Sequence, residues 1–111
     1  MKDTVMRTIN IAKDFTKSPG ARFKTDGPHS GEEFREKYLE EYFIDEKNNE
    51  RIRIILDGTD GYGTSFLEEA FGGLARKYGK ERCLRRLEFV SNEESILIDE
   101  IKQYIKEANE K

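Results

Sequence analysis

The sequence predicts a single small α/β domain over residues 1–111, a mostly parallel or mixed sheet of about four strands with three helices packed on it. Three observations carry that reading. Short β-branched or alternating segments are separated by longer stretches whose apolar residues recur every three or four positions, which is the alternation of strand with helix. Ser-x-x-Glu spacings at Ser30, Ser65 and Ser91 each stand before such a stretch, where a helix start has orphan N–H groups to satisfy. A chain of 111 residues has room for one core and no second.

Val5 to Ile11 alternates, with Val5, Ile9 and Ile11 on one side, and reads as a half-buried first strand. Thr16 to Gly20 has turn chemistry, and Ala21 to Lys24 reads as a short second strand beyond it. Asp26-Gly27-Pro28 interrupts the chain before the first helix, expected from Ser30 to about Phe43 on the spacing of Phe34, Tyr38 and Tyr42. After a charged loop from Asp45 to Arg51, the nearly continuous run Ile52 to Leu56 has the composition of an inner strand covered on both sides.

Asp57 to Thr64 is a glycine-rich turn, and a second helix is expected from Ser65, with Phe66, Leu67, Ala70, Phe71, Leu74, Ala75 and Tyr78 as its buried stripe and Gly79 ending it. Gly72 and Gly73 inside that helix each cost roughly 1 kcal/mol relative to alanine, which suggests close approach by another backbone or by a partner. Arg85 to Val90 reads as a further strand, and a last helix runs to about Ala108 on the stripe of Leu97, Ile98, Ile101, Tyr104 and Ile105, expected against the sheet. There is no internal repeat.

Composition narrows function mainly by exclusion. Twenty basic and 23 acidic residues are mixed along the chain for a net charge of −3, with no basic run interleaved with aromatics, so nucleic acid is not an expected partner. No stretch approaches the roughly 20 apolar residues of a membrane span, and the first residues lack a signal-peptide core, so the expectation is a cytoplasmic protein. Cys83 is the only cysteine, which leaves no internal disulfide and no thiolate cluster for a metal; a small core residue is its ordinary role.

Ligands of open α/β sheets gather at strand carboxyl ends, so the turn Asp57, Gly58, Asp60, Gly61, Tyr62 and Gly63 is the expected binding turn. It has neither G-x-x-x-x-G-K-[ST] nor G-x-G-x-x-G and holds no lysine, a weak pattern for a nucleotide. Asp57 and Asp60 have carboxylates suited to a phosphoryl group or a cation, though a turn-forming Asp is commoner. Ser65 and Thr64 place hydroxyls at a helix start, where an added phosphate would favour the helix dipole or obstruct a partner; against this, Ser65 with Glu68 has the spacing of a simple capping box. His29 lacks an identifiable partner for base catalysis, and Arg22 could meet an anion at the mouth of the fold. No metal site and no cofactor is expected.

Across roughly Val5 to Ala108, and most specifically in the S-F-x-[DE]-E-x-F-G segment from Ser65 to Gly72, the chain resembles the STAS-like domain family of unknown function. Those domains look like the bacterial anti-sigma-factor antagonists, in which a strand runs into a turn and a serine or threonine at the next helix start is phosphorylated by a partner kinase. The resemblance implies that Ser65, or else Thr64, occupies the place of the switch hydroxyl, and it implies a histidine-kinase-like ATPase as partner. The leading expectation is therefore a non-enzymatic, regulatory protein-binding module docking through Asp57 to Leu74, with Phe66, Glu69, Gly72 and Gly73 as its partner surface. The alternative is a small nucleotide- or anion-binding protein or enzyme using the turn 57–65, and a third is a homodimer whose helix faces bury one another.

Overall fold

In a computed structural model, which describes residues 6–109, three strands form one sheet: β1 (Met6–Asn10), β2 (Arg51–Ile55) and β3 (Leu87–Val90). The order is β1-β2-β3 and both pairings are parallel, with Ile9 beside Ile54 and Ile54 beside Phe89. The helical layer consists of α1 (31–42), α2 (64–78), α3 (Lys80–Arg86) and α4 (Ile96–Glu107), preceded by a single π-type turn at Ile11–Phe15. The sheet thus has three strands where about four were expected, and the helical segments number about five where three were expected.

The missing strand is Ala21 to Lys24. Its carbonyls accept from a helix start instead of a neighbouring strand: Gly31 N–H donates to the Ala21 oxygen at 2.9 Å and Glu32 N–H to that of Arg22 at 3.0 Å, so the segment caps α1. Ser30 opens α1 as the spacing predicts, its hydroxyl accepting from Glu33 N–H at 3.0 Å, while the Glu33 carboxylate reaches back to the His29 N–H at 2.9 Å. The first strand is present from Met6, and Val5 lies outside the described residues.

β2 is the central strand, as its composition predicts, but it is not covered on both sides. Ile52, Ile54 and Leu56 are buried while Arg53 and Ile55 are only partly so. The topology explains this. Right-handed crossovers that step β1 to β2 to β3 without reversing direction deposit every helix on the same face, leaving the other one open. Ile9, Ile11, Ile52, Ile54, Leu56, Leu87 and Phe89 pack under the helices, where Phe71 meets Phe89 edge-on with ring centres 5.2 Å apart.

The apolar stripes are consumed inside the fold. Phe34, Leu39, Phe66, Leu67, Phe71 and Leu74 are buried, and α4 buries Leu97, Ile101 and Ile105 chiefly on α2 and α3, a layer further from the sheet than expected. Gly79 ends α2 with φ 105°, a positive value as expected there, and Cys83 is buried on α3. Both long helices widen by one residue per turn, at Arg35–Leu39 and at Glu68–Gly72, and these two wide turns lie in adjoining helices.

Candidate functional site

Beyond β2 the chain turns through Gly58 and Gly61, at φ 97° and 130°, conformations that residues with a Cβ rarely adopt. The Asp57 carboxylate accepts from the Asn92 N–H at 2.9 and 3.0 Å, the Glu93 N–H at 2.9 Å and the Asn92 side-chain amide at 3.2 Å. Backbone donors from Asn92 and Glu93 hold this carboxyl below its ordinary value, and the group ties the turn to the loop after β3. Asp60 accepts from the Ser18 hydroxyl at 2.6 Å, and its N–H donates to the Lys17 oxygen at 2.7 Å. Tyr62 donates its hydroxyl to the Leu56 oxygen at 2.9 Å, and burial pushes its phenol up to about 12.

Beside the turn lies a cavity of about 130 Å³ whose lining includes Leu56, Asp57, Asp60, Tyr62, Glu93 and Glu94. Four carboxylates and no lysine or arginine line it, a lining that repels a phosphate. The strand order never reverses, so the sheet has no switch point where a crevice would open for a nucleotide. Asp57 and Asp60 act here as the turn-forming residues that their chemistry allowed.

Helix α2 begins at Thr64 with Gly63 at its N-cap in extended backbone, two residues earlier than a Ser65-Glu68 capping box predicts. Ser65 is therefore not a cap. Glu68 does not reach back to it, because Arg22 and Arg76 both bond the Glu68 carboxylate. Thr64 and Ser65 are both exposed, and neither hydroxyl bonds another group among the described residues. Ser65→Ala is accordingly expected to leave stability within about 0.5 kcal/mol, where loss of a true cap would cost about 0.5–2 kcal/mol. Chemical denaturation of the two proteins distinguishes these cases.

A family model described as a STAS-like domain of unknown function matches residues 30–97, more than half of the chain. The chain belongs to that family. No curated protein and no solved structure matches. The matched span of this STAS-like domain runs from the cap of α1 through the turn 57–63 to the start of α4, and so takes in both long helices with their wide turns.

The expected partner surface on α2 is inside the fold. Phe66 is fully buried, Glu69 is 8% exposed, and Gly72 and Gly73 are buried, so these four face the interior of the STAS-like domain. A Cβ on Gly73 would lie 2.6 Å from an Arg35 nitrogen, and one on Gly72 would lie 2.8 Å from a Glu68 carboxylate oxygen. The close approach implied by the glycine pair is real, but it is made by side chains of the same molecule. Arg35 reaches between the helices to donate to the Glu69 carboxylate at 2.6 Å, to the Glu69 backbone oxygen at 3.0 Å and to Glu40 at 2.7 Å.

Arg22, Arg35, Arg76 and Lys77 with Glu40, Glu68 and Glu69 make up a half-buried ion network that the sequence reading did not assemble. Its signal was the juxtaposition of Glu68-Glu69 with Gly72-Gly73, carboxylates beside room for a large side chain. Arg22 thus already has its anions, within the fold. His29 packs edge-on against Phe15 at 5.3 Å with a positive φ of 60°, and its backbone N–H and oxygen are both bonded, a turn role rather than that of a base.

Burial pushes the Glu68 carboxyl up, but hydrogen bonds from Arg76 and Arg22 outweigh it and leave the group below its ordinary 4.5; Glu40 is lowered in the same way by Arg35 and Lys77 against burial. A carboxyl lowered in the folded state stabilises the fold above its unfolded value, and that contribution disappears as pH falls through the folded one. Thermal melting from pH 7 down to pH 3 is therefore expected to show stability falling once pH drops below about 4.5, with a shallower fall in Glu68→Gln. An unchanged slope in that variant would remove Glu68 from the account.

Among the described residues no helix is long and apolar enough to cross a membrane, and no cluster of three or more potential metal ligands is found.

Proposed function

We propose that this STAS-like domain is a non-enzymatic regulatory module that binds a protein partner through the exposed start of α2 and the adjoining turn 57–63, switched by phosphate on Ser65 or Thr64. The observation that carries the reading is the pair of exposed hydroxyls in the first turn of α2, neither of them spent on capping or on any other bond among the described residues. A hydroxyl in that place can be phosphorylated without unmaking the fold, and the new charge sits at the positive end of the helix dipole. The partner surface is smaller than the sequence suggested, because Phe66, Glu69, Gly72 and Gly73 are inside; Gly58, Asp60, Gly61 and Gly63 of the turn and Thr64 and Ser65 at the start of α2 are exposed.

The partner that the family likeness favours is a histidine-kinase-like ATPase, and our reading has the switch act in the cytoplasm of a bacterium. The competing reading, an anion or nucleotide site in the turn, is opposed by the acidic lining of the neighbouring cavity. The test is phosphate transfer: the chain is incubated with ATP and the ATPase encoded nearest to it, and the product is mapped by mass spectrometry. Phosphate on Ser65 or Thr64 supports the switch. A stable complex that never transfers phosphate would leave docking and remove phosphorylation from the proposal.

A further inference from the structure

All-parallel sheets are almost always covered on both faces, yet here the helices occupy one. On the other face, besides the exposed Arg51 at the start of β2, the strand register sets two complete rows, Thr8-Arg53-Glu88 and Asn10-Ile55-Val90, each running straight across β1, β2 and β3. None of these residues is buried. Within the upper row Arg53 donates through Nε to Glu88 at 3.0 Å, and the two side chains remain 42% and 37% exposed. Ile55 and Val90 form an apolar pair below them and are not part of the core cluster.

We infer that this open face is the contact surface for a second copy of the same chain. The occupant follows from the order of charges. A two-fold axis running parallel to the strands, midway between β2 and β3 and in the plane between two facing sheets, exchanges the two strands across the contact. It places Arg53 of each copy over Glu88 of the other and, in the same operation, Ile55 over Val90, so one axis satisfies the charged row and the apolar row together. Two sheets facing in this way keep their strands aligned, as in a sandwich with a layer spacing of about 10 Å. The contact within one chain uses only Nε of Arg53, and its two terminal amines are the donors that the second carboxylate meets.

The same geometry limits the affinity. Only β2 and β3 face one another across this axis, with β1 outside the contact, and two strands spaced about 4.8 Å apart with four or five residues at about 3.3 Å each give an overlap of about 10 by 15 Å. That is well below the roughly 800 Å² per partner of a standard interface, so the dimer is weak and concentration-dependent. The inference is independent of the switch at α2, which lies at the other end of the β2-to-α2 turn and on the helical layer.

Sedimentation velocity of the whole chain over a concentration series up to about 1 mM tests it. Arg53→Glu and Glu88→Arg, each made alone, set like charges against one another across the axis and are expected to weaken dimerisation at least about tenfold. The double variant Arg53→Glu/Glu88→Arg restores opposite charges and is expected to return to within about threefold of the original. All three should melt close to the parent, since an exposed pair contributes little to the fold. A chain that stays monomeric to the highest concentration, or a dimer indifferent to either single reversal, would overturn the inference; so would a double variant no better than the singles.

Discussion

Arg35→Ala is expected to destabilise this STAS-like domain by about 3 kcal/mol, because Glu40 and Glu69 lose their shortest and most buried partner and keep only the more exposed Lys77, Arg22 and Arg76. The Arg35 side chain is 8% exposed, and its partners Glu69 and Glu40 are 11% and 13% exposed, so water cannot take over for the lost guanidinium. The void adds to the loss. Arg35 fills the space where a Cβ on Gly73 would lie, and truncating the arginine empties it. Equilibrium urea denaturation measures the effect, and Glu36→Ala, at an exposed position on the same helix, is the comparison expected to change little. A loss below about 1 kcal/mol for Arg35→Ala would mean that the network is incidental to the packing of α1 on α2.

Gly31→Ala is expected to be nearly as damaging for a different reason. A Cβ at position 31 would sit 2.4 Å from the Phe66 backbone oxygen and 3.1 Å from the carbon bearing it, in a buried helix that has no flexible side chain to move aside. The two helices must separate, and overpacking of this type costs about 1–3 kcal/mol or more. For a domain of this size the melting temperature should fall by roughly 5–20 °C, which differential scanning calorimetry reads directly. Helix propensity alone would push the other way, since alanine favours a helix over glycine, by up to about 1 kcal/mol and by less at a first position such as 31. The sign of the shift therefore decides between close helix contact and simple propensity.

Much of this architecture could be read from residue order because the relevant signals are local. Ser30 with Glu33 marked the start of α1, the stripes of Phe and Leu marked both long helices, and the β-branched run at Ile52 marked the middle strand. Other features depended on contacts that no window of sequence contains. Ala21 to Lys24 looked like a strand until the orphan N–H groups of Gly31 and Glu32 took its carbonyls. The spacing of Ser65 and Glu68 imitated a capping box, but Arg22, more than 40 residues earlier, and Arg76 compete for that carboxylate and leave the serine exposed. Helix α3 escaped notice because Lys80 to Arg86 is short and buries only Cys83 and Arg86, too few apolar positions to make a stripe.

The candidate site shows the same division. The turn Asp57 to Gly63 and its placement after the central strand were legible, since glycine and aspartate announce a turn and a strand must precede it. Which of its neighbours faces outward was not, because burial of Phe66, Glu69, Gly72 and Gly73 follows from α1 lying across α2 and from the arginine wedged between them. Gly72 and Gly73 gave a correct signal of close approach, and only the identity of the approaching group was misread.

Under the proposed function a partner docks on the exposed start of α2 and is displaced by negative charge there. The affinity of the proposed partner ATPase for Ser65→Asp, Thr64→Asp and Ser65→Ala, compared with the unmodified chain by calorimetry, is the decisive measurement. Ser65→Ala is expected to bind like the parent while at least one aspartate variant binds at least about tenfold more weakly, all with unchanged melting temperatures. Aspartate variants that bind as tightly as the parent would contradict it.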